Sequence, residues 1–537
     1  DADSVTVAAG TYVENINFRG RNIKVVGQDR ETTIIDGSQD TTFNDGTGVV
    51  CFPISSGEGT TTVLKNFTIQ NGTNFRGGGI MIAGDASPIL ENLVIKNNSA
   101  MAGGGIHSQN GSPVLINIDL DGNDALTDGL GKLGGGLCLE SGVDASLINC
   151  TIRNNQAGNG GGIYSEGSSI SLINTTVNDN TAITEGGAMK ITGNSLLEMS
   201  NSIVENNQSG SEMDGLYSSG SSVSITNSVF KSNGYIGIML GGNGPSENLI
   251  SKTLVHGHSM GILSSLCDLT IDKSTIDNNS GHGINFSYGG TRSITNSIIY
   301  NNGFAESGYN IYMGGAEDAV LSISYSDIQG DSVFVTEGNL TWGSGNIDIE
   351  PMFVDTANAD YHLLASSQCI NAGHPDSTDS DGTIADMGAY PYLNTYSGPT
   401  WYITESGNDT TATGASGDPF RSIQAGINFS NNNDSVTVAS GTYVENIVFP
   451  TELHNQYNHN IKVLGENQAT TIIDGNNNGP VVHFGKYLYS DYVLDGFTIQ
   501  NGSGDDFGSY NEGGGIYIDE NYSSVISVFR ICASLRD

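Results

Sequence analysis

Positive charge is the scarcest property of this chain. Only 19 Lys and Arg stand against 58 Asp and Glu in 537 residues, a formal net charge of −39. A surface of that sign repels phosphate backbones and anionic headgroups, which argues against nucleic acid and acidic membranes as partners. It favours solubility, cation binding or a salty surrounding. Charge of either sign is scarce too, at 14%, so the surface falls mainly to Asn, Ser, Thr and Gly. No run of 18 apolar residues occurs, and no segment reads as inserting into a membrane. The 6 cysteines (Cys51, Cys138, Cys150, Cys267, Cys369, Cys532) lie far apart, without a zinc-type spacing. Cys150 reads as core filler, and a Cys138–Cys150 bridge is left open.

What the chain has instead is a repeat. Leu147-Ile148-Asn149-Cys150-Thr151-Ile152-Arg153-Asn154-Asn155, followed by Gly160-Gly161-Gly162-Ile163-Tyr164, returns as Leu90 to Asn98 with Gly103-Gly104-Gly105-Ile106. The first apolar residue after each glycine run falls at Ile80, Ile106, Leu137, Ile163, Met189, Leu216, Ile238, Ile262, Ile284 and Ile311. A spacing of roughly 22 to 31 residues is that of stacked repeats. Each unit holds two or three short alternating runs, a strand period, separated by turn-forming Asn, Gly and Ser. One unit cannot bury its apolar face; stacked units can, each strand pairing with its equivalents above and below. The expected fold is all-β: a parallel β-solenoid with columns of Ile, Leu and Val inside. Asn92, Asn117, Asn149, Asn174, Asn227 and Asn296 would form a stacked turn column. Glycine-rich turns around 121–136 and 241–249 would bulge outward.

These residues resemble the right-handed parallel β-helix proteins of the pectate-lyase-like superfold, over nearly the whole chain. That superfold hosts lyases, hydrolases, adhesins and phage fibres, so the resemblance implies fold more than function.

The opening of the module is duplicated. Asp3 to Val7 and Gly10 to Ile16 recur at Asp434 to Val438 and Gly441 to Ile447, and the match continues to Phe67–Gly72 and Phe497–Gly502. Before the second copy stand Trp401 to Thr404 and Pro419 to Ile427, similar to the strand and plugging helix that open many extracellular β-helix domains. The first copy lacks that plug, so residue 1 is expected to lie inside a module, after a leader or an earlier module. The expected domains are 1–345, a first β-helix module; 346–393, its closing segment; 394–400, a linker; and 401–537, a second, incomplete module. The closing run Asp386-Met387-Gly388-Ala389-Tyr390 is similar to that of bacterial surface β-helix proteins with sorting or anchoring tails, with Pro391 in place of a final acid. No repeat is legible in residues 527–534.

Chemistry would sit on the outward column one residue past each core position: Met81, His107, Cys138, Tyr164, Lys190, Tyr217, Met239, Leu263, Asn285 and Tyr312. A hydrolase needs clustered carboxylates, and this column has none. Gly281-His282-Gly283 is similar to a polygalacturonase motif, but its partner acids are absent and it reads as a turn histidine. A lyase needs a basic side chain; Lys190 with Glu185 is the candidate pair. Exposed Tyr164, Tyr217 and Tyr312, with His107, would suit stacking on sugar rings. Asp376, Asp379, Asp381 and Asp386, on a Gly-containing loop, are the candidate Ca²⁺ ligands, without EF-hand spacing. A second outward column, Lys96, Asp121, Arg153, Asn178, Lys231, Asp277 and Tyr300, reads as surface ion pairing. The leading expectation is a secreted or cell-surface structural or adhesive protein without catalysis, its partner a polysaccharide or cell-surface glycan. The rivals are a polysaccharide lyase acting on uronate polymers and a filament subunit that self-associates end to end.

Overall fold

The computed structural model describes residues 3–39, 48–53, 57–125, 132–242, 247–304, 308–331, 333–449, 460–484, 492–506, 511–512, 514–518 and 530–536. The centres of the two expected outward turns, 126–131 and 243–246, lie outside these residues. The chain folds as a right-handed parallel β-helix and divides into two compact units. One comprises 1–294, 299–322 and 332–341; the other comprises 295–298, 323–331 and 342–537.

In the first unit three ladders run side by side along the stack. The longest begins with eight-residue strands, Val63–Gln70, Ile89–Lys96 and Val114–Asp121, in parallel register Leu64↔Leu90↔Leu115. From the next turn on, each such strand divides in two, as at Asp144–Ile148 and Thr151–Arg153. Asn149, at φ 56°, lies at the division. Asparagine tolerates that left-handed backbone better than most residues, which is why the turn column is written in asparagine. The second ladder is short: Thr73–Arg76, Ser99–Ala102, Asp124–Ala125, Gln156–Ala157, Thr181–Ala182 and Gln208–Ser209. Among the described residues the third has 13 strands, from Ile16–Asn17 to Phe334–Val335.

The core column follows the repeat residue for residue. Ile80, Ile106, Leu137, Ile163, Met189, Leu216, Ile238, Ile262, Ile284 and Ile311 are consecutive ladder partners, each at most 1% exposed. Burying each such side chain contributes roughly 1.5–3 kcal/mol.

Two asparagine ladders hold the corners. The outer one contains Asn92 Nδ2 donating to Asn66 Oδ1 (2.8 Å), Asn117 to Asn92 (2.7 Å) and Asn174 to Asn149 (2.6 Å). The inner one, which the repeat spells but the turn column does not include, is Asn98, Asn123, Asn155, Asn180, Asn207 and Asn233, each at most 1% exposed. Each of these up to Asn207 donates its amide Nδ2–H to the next Oδ1 at 2.8–3.0 Å, and its backbone N–H goes to the same oxygen. Buried His258 continues the ladder between Asn233 and Asn279. Its Nδ1–H donates to Asn279 Oδ1, its Nε2 accepts from Asn233, and burial pushes its pKa down to about 3, so the ring stays neutral.

The second unit repeats the opening of the first at the level of hydrogen bonds. Ser4↔Lys24 and Gly10↔Thr33 have the counterparts Ser435↔Lys462 and Gly441↔Thr471. Gln70 Nε2 donates to Asp36 Oδ2 at 2.9 Å, as Gln500 does to Asp474. Ahead of the second copy, Thr400–Ile403 pairs with Ser435–Val438, and the helix Ile423–Phe429 packs over this opening. Ser422 caps the helix through its Oγ, and the Glu445 carboxylate accepts from Ile423 N (2.8 Å) and Gln424 N (3.1 Å). The closing segment belongs to this unit: Asn428 Nδ2 donates to Ala365 O and Ser367 O, and Tyr392 OH to Ala412 O. Residues 530–536, where no repeat is legible, pair in parallel with Val493–Gln500. Among the described residues no helix is long and apolar enough to cross a membrane.

Candidate functional site

The third ladder carries the outward column. Its strands are brought close by the glycine runs, which lie where successive turns touch. A Cβ on Gly161 would sit 2.4 Å from Gly187 O and 2.6 Å from the Thr181 backbone. The column runs in register from Cys51 and Met81 through His107, Cys138, Tyr164, Lys190, Tyr217, Met239, Leu263, Asn285 and Tyr312 to Phe334.

Its two halves differ in exposure, and this corrects the expectation that the column is open throughout. His107 and Cys138 are 0% exposed and Tyr164 only 6%. Ala102 and Leu133, from the glycine-run side, pack over Cys138 and Tyr164. His107 and Tyr164 are therefore not exposed rings. The bridge left open above does not form: Cys138 and Cys150 are both buried thiols without a disulfide.

Beneath that cover is a polar cluster drawn from neighbouring turns. His107 Nε2 lies 2.7 Å from Glu140 Oε2, and Tyr164 OH donates to Glu166 Oε2 at 3.1 Å. The His107 hydrogen bond holds the Glu140 carboxyl below the usual range, while burial pushes the Cys138 thiol and the Tyr164 phenol up. Glu140 and Glu166 are direct ladder partners. They stand two residues past the outward column, so that column alone does not contain them.

Lys190 is half-buried and tied down. Its Nζ lies 2.5 Å from Glu185 Oε2 and 3.0 Å from Asn159 Oδ1, and 5.6 Å from the centre of the Tyr217 ring. The expected Lys190–Glu185 pair is thus a salt bridge, with the ammonium donating to two oxygens. Part of the second outward column pairs as surface ions: Arg153 bonds Asp119 and Asp121, and Lys231 bonds Glu205 at 2.8 Å, whereas Asp277 and Tyr300 of the same column are buried.

At the far end the column becomes aromatic and partly exposed. Tyr309 stacks on Phe334 (centroids 4.2 Å, planes 11° apart), His282 on Tyr309 (5.7 Å, 9°) and His282 on Tyr312 (5.2 Å, 29°). Tyr309 N donates to His282 Nδ1 at 3.2 Å, and burial lowers the His282 pKa. Phe334 is 43% exposed. Of these four, Tyr312 is an expected candidate and His282 was read as a turn residue. Tyr309 lies outside the outward column, and Phe334 follows Tyr312 by 22 residues, one turn beyond Ile311, the last core position of the repeat.

The four acidic candidates of the second unit do not converge. Among the described residues the one group of three His, Cys, Asp or Glu side chains with ligand atoms mutually within 4.8 Å is His107, Cys138 and Glu140. Asp386 is 2% exposed and accepts from Asn371 N and Tyr392 N, both at 2.7 Å. Asp381 accepts from Thr383 and Asn394 N, Asp379 accepts from Asp386 N, and the Asp376 side chain is 94% exposed. The carboxylates of Asp379, Asp381 and Asp386 brace the closing turns by capping backbone N–H groups. A cavity of about 680 Å³ in the same unit is lined by Trp401, Gln424, Asn428, Ile370 and Tyr396, with Asp381 at its edge.

Burial pushes Asp386 up to about 8, and Asp327 and Glu445 each to about 7, against the backbone N–H groups that bond them. Unfolded, such carboxyls ionise near pH ~4. Between about pH 4 and 8 the native state therefore holds more protons, and stability falls as pH rises. Thermal melts are expected to show a lower midpoint at about pH 8.5 than at about pH 5, with the decline running from about pH 4 to about pH 8 and levelling off above; a flat profile there would contradict these assignments.

A family model described as a right handed beta helix region matches residues 47–215 and 209–351, together more than half of the chain. A second, described as a protein of unknown function (DUF1565), matches residues 405–535. No curated protein matches the sequence. Among solved structures the chain is similar to pectate lyase Pel9A, at 13% identity and TM-score 0.40, covering 72% of this chain and 97% of that one. It is also similar to the PL6 family alginate lyase AlyGC, at 12% identity and TM-score 0.29, covering 99% and 73%. A pectin methylesterase from Yersinia enterocolitica matches at 11% identity and TM-score 0.23, covering 50% and 86%. At these identities and TM-scores no activity passes from them to this chain.

Proposed function

Because the chain belongs to the right-handed β-helix family, we propose that it is a secreted or cell-surface scaffold that binds polysaccharide without cleaving it. The observation that carries this reading is the aromatic group His282, Tyr309, Tyr312 and Phe334 on a rigid ladder face. Stacked rings fixed by their neighbours offer flat apolar area at little entropic cost, and Tyr adds a polar tip. Sugar rings present apolar C–H faces that fit such a surface. The acidic surface argues for neutral or cation-bridged glycans over free polyanions.

On a glycan array and in affinity electrophoresis, the protein is expected to bind at least one polysaccharide class. Phe334→Ala, an exposed truncation, is expected to weaken that binding about tenfold, from roughly 1.4 kcal/mol of lost stacking. Binding to no glycan, or undiminished binding by Phe334→Ala, would remove the proposal.

The non-catalytic half of the reading rests on Lys190, which is engaged by Glu185 and Asn159. Incubation with pectin or alginate is expected to give no new ultraviolet absorbance from unsaturated ends. Product that appears with the wild type and vanishes with Lys190→Ala would replace this reading by a uronate lyase.

A further inference from the structure

We propose that His107, Cys138 and Glu140 form a binding site for one thiophilic divalent cation of the zinc type. Their ligand atoms lie within 4.8 Å of one another, the only such group among the described residues. Tetrahedral zinc, with bonds near 2.0–2.3 Å, holds its ligands roughly 3.5 Å apart, so binding replaces the 2.7 Å His107–Glu140 hydrogen bond and takes about an ångström of side-chain movement.

Three observations point to a cation there. First, His107 and Cys138 are 0% exposed, and His107 Nε2 faces Glu140 Oε2 at 2.7 Å, so the donor atoms come together out of reach of bulk water. Second, the donors are one imidazole, one thiol and one carboxylate. That set suits zinc and disfavours calcium or magnesium, which want oxygen alone. Third, the charges close. An ion bound by the imidazole ring, by a thiolate formed as the Cys138 proton passes to solvent, and by the Glu140 carboxylate meets two negative ligands, which match a dication.

The site is structural in character. His107 belongs to one turn and Cys138 and Glu140 to the next, directly paired in the ladder. A bound ion cross-links these turns under the cover of Ala102 and Leu133, and the fourth position falls to water. No sugar is needed, so this site and the aromatic face stand or fall separately.

The test uses tag-free full chain, stripped with chelator and titrated with Zn²⁺ against a chromophoric competitor, then with Co²⁺. One equivalent is expected, with a thiolate-to-cobalt charge-transfer band in the near ultraviolet. Cys138→Ser is expected to lose that band and to weaken zinc binding ~100-fold or more, while Cys150→Ser keeps both. X-ray absorption at the zinc edge of the wild type provides a readout that survives a misfolded variant, and one sulfur neighbour is expected. Absence of stoichiometric binding, a shell of nitrogen and oxygen alone, or full affinity in folded Cys138→Ser would each overturn the assignment.

Discussion

Asn180→Ala is expected to destabilise the first unit by about 4 kcal/mol, far beyond an ordinary polar truncation. The side chain is 0% exposed and bonded on every side. Its two Nδ2 hydrogens are shared among Ile152 O (2.8 Å), Asn178 O (3.0 Å) and Asn207 Oδ1 (3.0 Å). Its Oδ1 accepts from Asn155 N and Asn155 Nδ2, both at 3.0 Å. Alanine strands at least the two Asn155 donors and the Ile152 carbonyl where water cannot reach, at about 1–3 kcal/mol each. Asn174→Ala is the control: it lies on the exposed ladder and loses one bond to Asn149 plus a tolerant residue at φ 51°. That change is expected to cost about 1 kcal/mol. Denaturant titrations followed by circular dichroism compare the two; equal effects would mean that the inner ladder is not a cooperative hydrogen-bonded column.

Gly161→Ala is expected to be as damaging, about 4 kcal/mol or more, for a different reason. The new methyl carbon would meet Gly187 O at 2.4 Å and Thr181 C and O at 2.6 Å, all backbone atoms of the adjoining turn. Side chains can swing aside; the ladder cannot, because Gly161 N already donates to Gly186 O at 3.0 Å. Gly220→Ala provides the contrast. Gly220 has φ 60° and open space around the methyl position, so only the backbone penalty of roughly 1–2 kcal/mol remains. Protease resistance and melting temperature should separate the two variants clearly. If both melt within a few degrees of the wild type, close contact between turns does not explain the glycine runs.

Much of the fold was legible because a solenoid makes local and global order coincide. The residue after each glycine run predicted a core column from Ile80 to Ile311, and those residues are direct ladder partners. The duplicated opening was equally plain, since Asp36 with Gln70 and Asp474 with Gln500 repeat the same hydrogen bond. The candidate sites were less legible. His107 and Tyr164 alternate outward as expected yet are buried, and over Tyr164 lie Ala102 and Leu133, which precede glycine runs and do not belong to its own ladder. The loop of Asp376, Asp379, Asp381 and Asp386 has the composition of a cation site, but three of those carboxylates are taken up by the N–H groups of its own turns and of Asn371, Tyr392 and Asn394.

The sequence by itself determined the period, the inward and outward alternation, the asparagine corners and the doubled opening, because each depends on neighbours within one turn of chain. Only the tertiary structure decided which outward residues stay covered, that His107 meets Glu140, and that Tyr309 meets Phe334. Those meetings depend on how far each unequal turn travels before the next strand begins, and turn path is set by packing between turns, which no single repeat contains.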